Sequence, residues 1–307
     1  MISDITLFSP SSALARPAAL TLAARRLRAL GLQVTIDADA RARQQRFAGN
    51  DALRLAALHR VAAAAPSIAM ATRGGYGLTR LLDGIDWPLL QASVERGTRW
   101  VGHSDFTALQ LGLLAHGGPA GCSWTGPMAV EDFGRLDEDG GVDEITRDVF
   151  LEAMSGELEA LGFRTEAGFD GLQRRGRLWG GNLCMLVSLL GTPHFPAPRL
   201  VKGGVLFLED VGEHPYRVER SLLQLHQAGV LASQGAVLLG HFTGFKAQPQ
   251  DRGYGLKTVV QQLRTLLGPE VPVLTGLPYG HVPTKLTLPV GRRVELLVQG
   301  REVLLGW

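Results

Sequence analysis

The chain has 307 residues, 45% apolar and 20% charged, with 31 Lys and Arg against 29 Asp and Glu for a formal net charge of +2. This is the composition of a globular protein long enough for two domains, and it is too balanced for a nucleic-acid binder that works by neutralising phosphates. Two distant cysteines, Cys122 and Cys184, with no CxxC, exclude a cysteine-built zinc site and argue against a disulfide scaffold. The start, Met1-Ile2-Ser3-Asp4, lacks a basic segment followed by an apolar core, and no apolar run reaches the length of a membrane span. A cytoplasmic protein with reduced thiols is therefore expected.

The first half alternates strand and helix patterns. Thr6 to Ser9 reads as a strand ending at the turn signal Pro10-Ser11-Ser12, and Ala13 to Leu30 as a helix rich in Ala, Leu and Arg. Leu32 to Ile36 is a second strand, Asp51 to Ala64 an amphipathic helix, and Ser67 to Ala71 a third strand. That strand runs into Thr72-Arg73-Gly74-Gly75-Tyr76-Gly77, with a helix expected from Leu78 and another over Trp87 to Val94. An apolar run then ends in Gly102-His103-Ser104-Asp105, and a helix-period run from Phe106 to Leu114 follows at once. Gly121 to Trp124 is a short strand candidate before Gly126-Pro127-Met128, and Val142 to Met154 is helical. Such alternation marks an α/β domain with a parallel sheet, in which functional groups gather at the carboxyl ends of strands. The N-terminal domain is expected over residues 1–154.

Residues 155–175 show no clear period and are expected to be a linker, with a C-terminal domain over 176–307. Gly180-Gly181-Asn182-Leu183 opens a short apolar helix to Leu190. Gly203 to Asp210 is a buried strand ending in two carboxylates. Tyr216 to Gly229 and Tyr254 to Leu267 read as helices, Gly235 to Leu239 and Val271 to Leu274 as strands, and Lys285 to Trp307 as a small β meander with turns at Gly291 and Gly300. The fold class is α/β with a nucleophile elbow in the first domain and a mixed α/β second domain.

A serine between a strand and a helix, as at Ser104, is lifted clear of the sheet beside unpaired helix N–H groups. Gly102 suits the tight turn. The same residues also fit plain helix capping by Ser104 or Asp105. A nucleophile needs a base, and the base an orienting carboxylate. Of the eight histidines, His59 and His226 lie within helices, and His116, His194 and His214 border Gly or Pro turns without catalytic context. Strand alternation turns His103 away from Ser104. His241 ends a strand and rivals His281, which lies in the loop Gly276-Leu277-Pro278-Tyr279-Gly280-His281-Val282-Pro283. Glu209 follows the apolar strand directly, where a charge must be paired. Asp210, on the opposite side of that strand, Glu213 and Glu219 are alternatives. The Gly74-Gly75-Tyr76-Gly77 loop fits neither GxGxxG nor GxxxxGK[ST], so it reads as a source of oxyanion N–H groups rather than a nucleotide cradle. No HExxH motif or His/Cys/Asp cluster supports a metal.

Six motifs in order, Ala71 to Gly77, Gly102 to Asp105, Gly126 to Met128, Gly180 to Leu183, Leu208 to Glu213 with Pro215-Tyr216, and Gly280-His281 before Thr287-Leu288-Pro289, closely resemble the LD-carboxypeptidases, or muramoyltetrapeptide carboxypeptidases. That family includes hydrolases conferring immunity to microcin C. The resemblance implies Ser104 as nucleophile, His281 as general base and Glu209 as its orienting acid, with oxyanion N–H groups from Gly75 and Asp105. It implies a metal-independent enzyme without cofactors, usually a homodimer. The implied reaction removes terminal D-Ala from an L,D-linked murein tetrapeptide in peptidoglycan recycling, with a small peptide as substrate and neither nucleic acid nor membrane as partner. Arg73 is a candidate for the substrate carboxylate, with an ion pair to a neighbouring acid as its other reading. Tyr76, Trp179, Asn182, Glu213 and Tyr216 are candidates to line the substrate groove. Two departures stand out: His103 where an aromatic or apolar residue is common, and Phe106 in place of the second Gly of GxSxG. A microcin-type peptidyl-adenylate amide hydrolase and a non-catalytic ligand-binding module are the alternatives.

Overall fold

The computed structural model describes residues 4–307, so the reading of Met1, Ile2 and Ser3 lies outside the described residues. The chain forms two compact units. One runs to Leu158 and includes Pro283–Gly291, and the other comprises Glu159–Val282 and Arg292–Trp307.

In the first unit, strands β1 (Asp4–Phe8), β2 (Gln33–Ile36), β3 (Ile68–Ala71), β4 (Arg99–Gly102) and β5 (Ser123–Thr125) alternate with helices α1 (Pro17–Ala29), α2 (Asp51–Ala64), α3 (Trp87–Glu95) and α4 (Thr107–Gly117), and α5 (Glu144–Ser155) follows. The five strands are parallel in the order β2-β1-β3-β4-β5. The β1–β3 boundary is therefore a switch point, where loops part at the carboxyl ends of the strands and leave a crevice. β3 is buried along its whole length, as a central parallel strand covered on both faces must be. Asn50, Asp86 and Asp143 cap α2, α3 and α5 by accepting the N–H of Leu53, Leu89 and Thr146. The helix expected from Leu78 is instead two 3₁₀ turns, Leu78–Arg80 and Leu82–Gly84. Leu78, Leu81 and Leu82 still bury their side chains.

The second unit holds β6 (Ala160–Arg164), β7 (Gln173–Asn182), α6 (Leu183–Leu189), α7 (Pro198–Val201), β8 (Val205–Val211), α8 (Pro215–Gln227), β9 (Ala236–Thr243), α9 (Leu256–Leu267) and β10 (Val273–Leu274). β11 (Leu288–Val290) belongs to the first unit, and β12 (Arg293–Gln299) and β13 (Glu302–Gly306) return to the second. The second sheet runs β10-β9-β8-β7-β12-β13-β6. β7 serves both halves of it: Gln173 to Arg177 pair antiparallel with β12, and Leu178 to Asn182 pair parallel with β8.

Two expectations are corrected. Residues 155–175 are not a linker, because they contain β6 and the start of β7. Only Leu161 and Phe163 of β6 are buried, and its partner β13 lies far along the chain, so no local pattern announces the strand. Nor is Lys285 to Trp307 a single meander. β11 leaves it to pair antiparallel with β5, and its Pro289 is tolerated because β11 is the sheet edge. Among the described residues no helix is long and apolar enough to cross a membrane.

Candidate active site

In the first unit β4 ends at Gly102, His103 stays extended at φ −149° and ψ 168°, and the chain turns at Ser104 with φ +64°. A 3₁₀ turn over Ser104–Phe106 then feeds α4. The unusual backbone is thus the serine's own, not Gly102's as expected. Gly102 is required for space: a Cβ there would lie 2.3 Å from Cγ of Phe106. A left-handed non-glycine residue costs about 1–2 kcal/mol and persists only where its surroundings over-determine it. Here the Phe106 N–H donates to the His103 carbonyl at 3.2 Å, and Phe106 packs edge-on against Phe8 in the core. The Gly102 carbonyl accepts the Gly126 N–H at 3.2 Å, while Gln110 donates to the Trp124 carbonyl at 2.9 Å. Phe106, not Ser104 or Asp105, occupies the capping position of α4.

The glycine loop after β3 runs against this elbow. A Cβ on Gly74 would sit 2.8 Å from the Ser104 Cβ and 2.9 Å from the His103 carbonyl oxygen. Gly75 has φ +83°, and a Cβ there would meet Ser12 Oγ at 2.5 Å. The Ser12 hydroxyl donates to the Tyr76 carbonyl at 3.1 Å, tying the loop after β1 to the loop after β3. Arg54, which sequence reading missed, makes the same connection from below. Its guanidinium is fully buried and donates to the carbonyls of Pro10, at 2.9 Å, and Gly77, at 2.7 Å, while pairing with Asp51. Burial holds its pKa below the usual arginine value, although Asp51 opposes that shift. The available signal was its position on the apolar face of α2, in register with Ala57, Leu58 and Val61.

Arg73 meets Glu131 at 3.2 Å and donates to the Ala13 carbonyl at 3.2 Å, so its ion pair to a neighbouring acid is present. Tyr76 is 46% exposed and packs on Phe47.

In the second unit Glu209 is wholly buried, and one of its carboxylate oxygens, Oε2, lies 2.8 Å from Nδ1 of His281. A carboxylate accepts at this distance, so Nδ1 is the donor of the pair and Nε2 is the ring nitrogen outside it. The rival His241 is not the partner of this carboxylate. Its backbone instead fixes the loop that carries His281, its N–H donating to the Tyr279 carbonyl at 2.8 Å. Both crossing points lack room for a side chain. A Cβ on Gly240 would lie 2.4 Å from the Tyr279 carbonyl oxygen, and one on Gly280 would lie 2.9 Å from that of His241. Tyr279 itself is buried edge-on against Phe207, with ring centroids 5.4 Å apart. That packing explains the Tyr-Gly-His spacing.

Three further expectations change. Asp210 does not turn away from Glu209. Asn182 Nδ2 donates to Glu209 at 3.1 Å and to Asp210 at 3.0 Å, because the register between β8 and β9 shifts between Leu208 and Asp210. Such a bulge re-aims a side chain that strict alternation would send to the other face. Asn182 is itself buried and caps α6 through the Met185 N–H, so it does not line a groove. Trp179 is fully buried, donates its indole N–H to Gln234 at 2.9 Å and packs on Phe195, so it belongs to the core. Glu213 faces Arg217 at 3.7 Å, and Tyr216 is 47% exposed over the His214 ring.

The chain is similar to known proteins along nearly its whole length. The models of the LD-carboxypeptidase N-terminal and C-terminal domains match residues 5–122 and 175–296. The murein tetrapeptide carboxypeptidase of Pseudomonas aeruginosa is 32% identical over 300 residues, covering 95% of this chain and 92% of that one. The crystal structure of a muramoyltetrapeptide carboxypeptidase from Oxalobacter formigenes is 38% identical, with a TM-score of 0.87 over 98% of this chain and 97% of that one. A structure of the microcin C7 self-immunity protein in complex with aspartyl sulfamoyl adenosine shares the fold at 21% identity, with a TM-score of 0.84 over 100% and 96% of the two chains. The motifs, the two-unit fold and these relatives agree: the chain belongs to the LD-carboxypeptidase family, peptidase family S66, which also includes the microcin C7 self-immunity proteins.

Proposed function

We propose that the chain is a serine carboxypeptidase that removes the terminal D-Ala from L,D-linked murein tetrapeptides, with Ser104 as nucleophile, His281 as general base and Glu209 as the acid that orients it. The observation that carries this reading is the buried Glu209 carboxylate at 2.8 Å from His281 Nδ1. That pairing fixes the imidazole tautomer with Nε2 available to take a proton and stabilises the imidazolium that forms. The Ser104 hydroxyl attacks the carbonyl of the residue before D-Ala as Nε2 accepts its proton. The developing oxyanion is held by the backbone N–H groups of Gly75 and Asp105. His281 then protonates the departing D-Ala amine, and the C–N bond breaks to leave an acyl-serine. Water, deprotonated by the same nitrogen, releases the shortened peptide and restores the hydroxyl.

An exopeptidase must also recognise a free carboxylate. Arg73 fills that role in this proposal, with Glu131 and the Ala13 carbonyl holding its guanidinium beside the glycine loop. A cytoplasmic homodimer completes the reading, drawn from the family resemblance, and sedimentation equilibrium should return close to twice the 33.0 kDa chain mass.

The decisive assay incubates purified tetrapeptide with the protein, with and without EDTA, beside Ser104→Ala, and measures free D-Ala. Release by the wild type in both buffers and none by the variant is expected. No wild-type release, or full release by Ser104→Ala, refutes the reading, and loss with EDTA points to a metallopeptidase. Hydrolysis of a peptidyl-adenylate analogue in place of the tetrapeptide moves the assignment to the microcin branch.

A further inference from the structure

Two buried carboxylates stand side by side at the end of β8, and the proposed mechanism uses only one. Glu209 is 0% exposed and Asp210 5% exposed. A single amide joins them, since both N–H bonds of the Asn182 side chain are directed at this pair, one to Glu209 Oε1 and one to Asp210 Oδ1. Asp210 is in turn fixed to the backbone on two sides. Its Oδ1 accepts the Val211 N–H at 2.9 Å, and its Oδ2 accepts the Cys184 N–H, in the first turn of α6, at 2.9 Å. The Asn182 Oδ1 accepts the Met185 N–H from the same helix start at 3.2 Å. Asn182 thus has no freedom to rotate. Its position sets where Glu209 Oε1 lies, which leaves Oε2 aimed at His281.

We propose that Asp210 is a positioning residue for the reaction, holding Glu209 in its productive orientation through the forked amide of Asn182. The inference rests on the reading of Glu209 as the acid that orients His281. The chemistry of the contacts supports it. Every group facing Asp210 that the hydrogen bonds identify is a donor: Val211 N–H from its own strand, the Asn182 amide from β7 and the Cys184 N–H from α6. An ionised carboxylate accepts from all three without turning an O–H of its own towards a donor. The opposing influences are burial and the neighbouring Glu209 charge, which together push the Asp210 carboxyl up to about 6, burial being the larger. Protonation of Asp210 then sets an O–H among donors and loosens the fork.

The test compares wild type, Asp210→Asn and Asn182→Ser on tetrapeptide, with rates expressed per serine titrated by a fluorophosphonate. Asp210→Asn keeps the shape and places an NH₂ against a donor. Asn182→Ser keeps a hydroxyl to cap α6 and removes the fork, so it serves if Asp210→Asn does not fold. A misplaced catalytic group costs roughly 10²-fold. kcat is therefore expected to fall about that much in either variant, with KM changed less than about twofold. The acidic limb of the kcat profile should become less steep in Asp210→Asn, which removes the carboxyl that burial pushes up to about 6. The low-field proton resonance of His281 Nδ1–H, assigned by its loss in His281→Gln, should move upfield in both variants. A purely structural role would lower the titrated fraction and the melting temperature without these changes. kcat per titrated serine within about twofold of wild type, with the resonance unmoved, overturns the proposal. If the wild type releases no D-Ala, it is the functional reading that fails, and the resonance alone then decides whether Asp210 positions Glu209.

Discussion

Ser104 and the Glu209–His281 pair sit on different units and are held by different physics. The serine occupies a left-handed backbone, at φ +64°, that its own side chain disfavours, and it sits where Gly102 closes on Phe106 and Gly74 closes on the serine itself. Glu209 lies on a strand that departs from regularity only by a bulge, and a network of hydrogen bonds fixes its carboxylate from two sides. One region is positioned by steric exclusion and stores strain. The other is positioned by polar satisfaction and stores buried charge. Elbows of the first kind are sensitive to added volume, and pairs of the second kind to altered donor and acceptor pattern.

The largest expected effect is at the elbow. Ser104→Ala should lower D-Ala release by about 10⁶-fold, as loss of a nucleophile does, while near-ultraviolet circular dichroism stays unchanged. Glu209→Gln tests the other region with its shape kept. An amide in place of the carboxylate favours the wrong imidazole tautomer, so a fall in kcat of about 10⁴-fold is expected. A fall of less than about tenfold would show that His281 is oriented by something else. Gly74→Ala adds a methyl 2.8 Å from the Ser104 Cβ, and the displaced serine should lose about 10²-fold in kcat. Activity near wild type would mean that the elbow yields without consequence and is not held by exclusion. Arg73→Ala should cost roughly tenfold on the free-acid tetrapeptide and little on its C-terminal amide, about the contribution of one charge-assisted contact. Equal losses on both substrates remove Arg73 from carboxylate recognition. The smallest effect concerns stability alone. Ser104→Gly relieves the left-handed strain, so it should melt about 2 °C above Ser104→Ala, the difference expected from about 1 kcal/mol. Equal melting temperatures would show that the elbow carries no strain.

Much of the first unit was legible. The helix expected over Asp51 to Ala64 is α2 to the residue, and the strands before the glycine loop and before Ser104 lie where their apolar runs place them. These elements are written by local periodicity and by caps such as Asn50. β6 and the first half of β7 were not legible, because their antiparallel partners, β13 and β12, come more than a hundred residues later. The return of Leu288–Val290 to the first sheet was hidden for the same reason. Trp179 and Asn182, read as groove residues from their glycine neighbours, proved to be core and frame, since exposure depends on what the rest of the chain packs against them.

By itself the sequence determined the α/β class, the strand–turn–helix at Ser104, and the candidacy of Glu209 and His281. A buried strand end, a sharp turn and a Gly/Pro loop are local events that residue type and spacing govern. The tertiary structure alone decided which histidine faces Glu209, that Asp210 reaches the same amide as Glu209, and that the strained residue of the elbow is the serine rather than Gly102. Each of those depends on contacts between segments remote in the chain, Tyr279 against Phe207, Asn182 against β8 and Gly74 against Ser104, and no local pattern encodes a distance between distant residues.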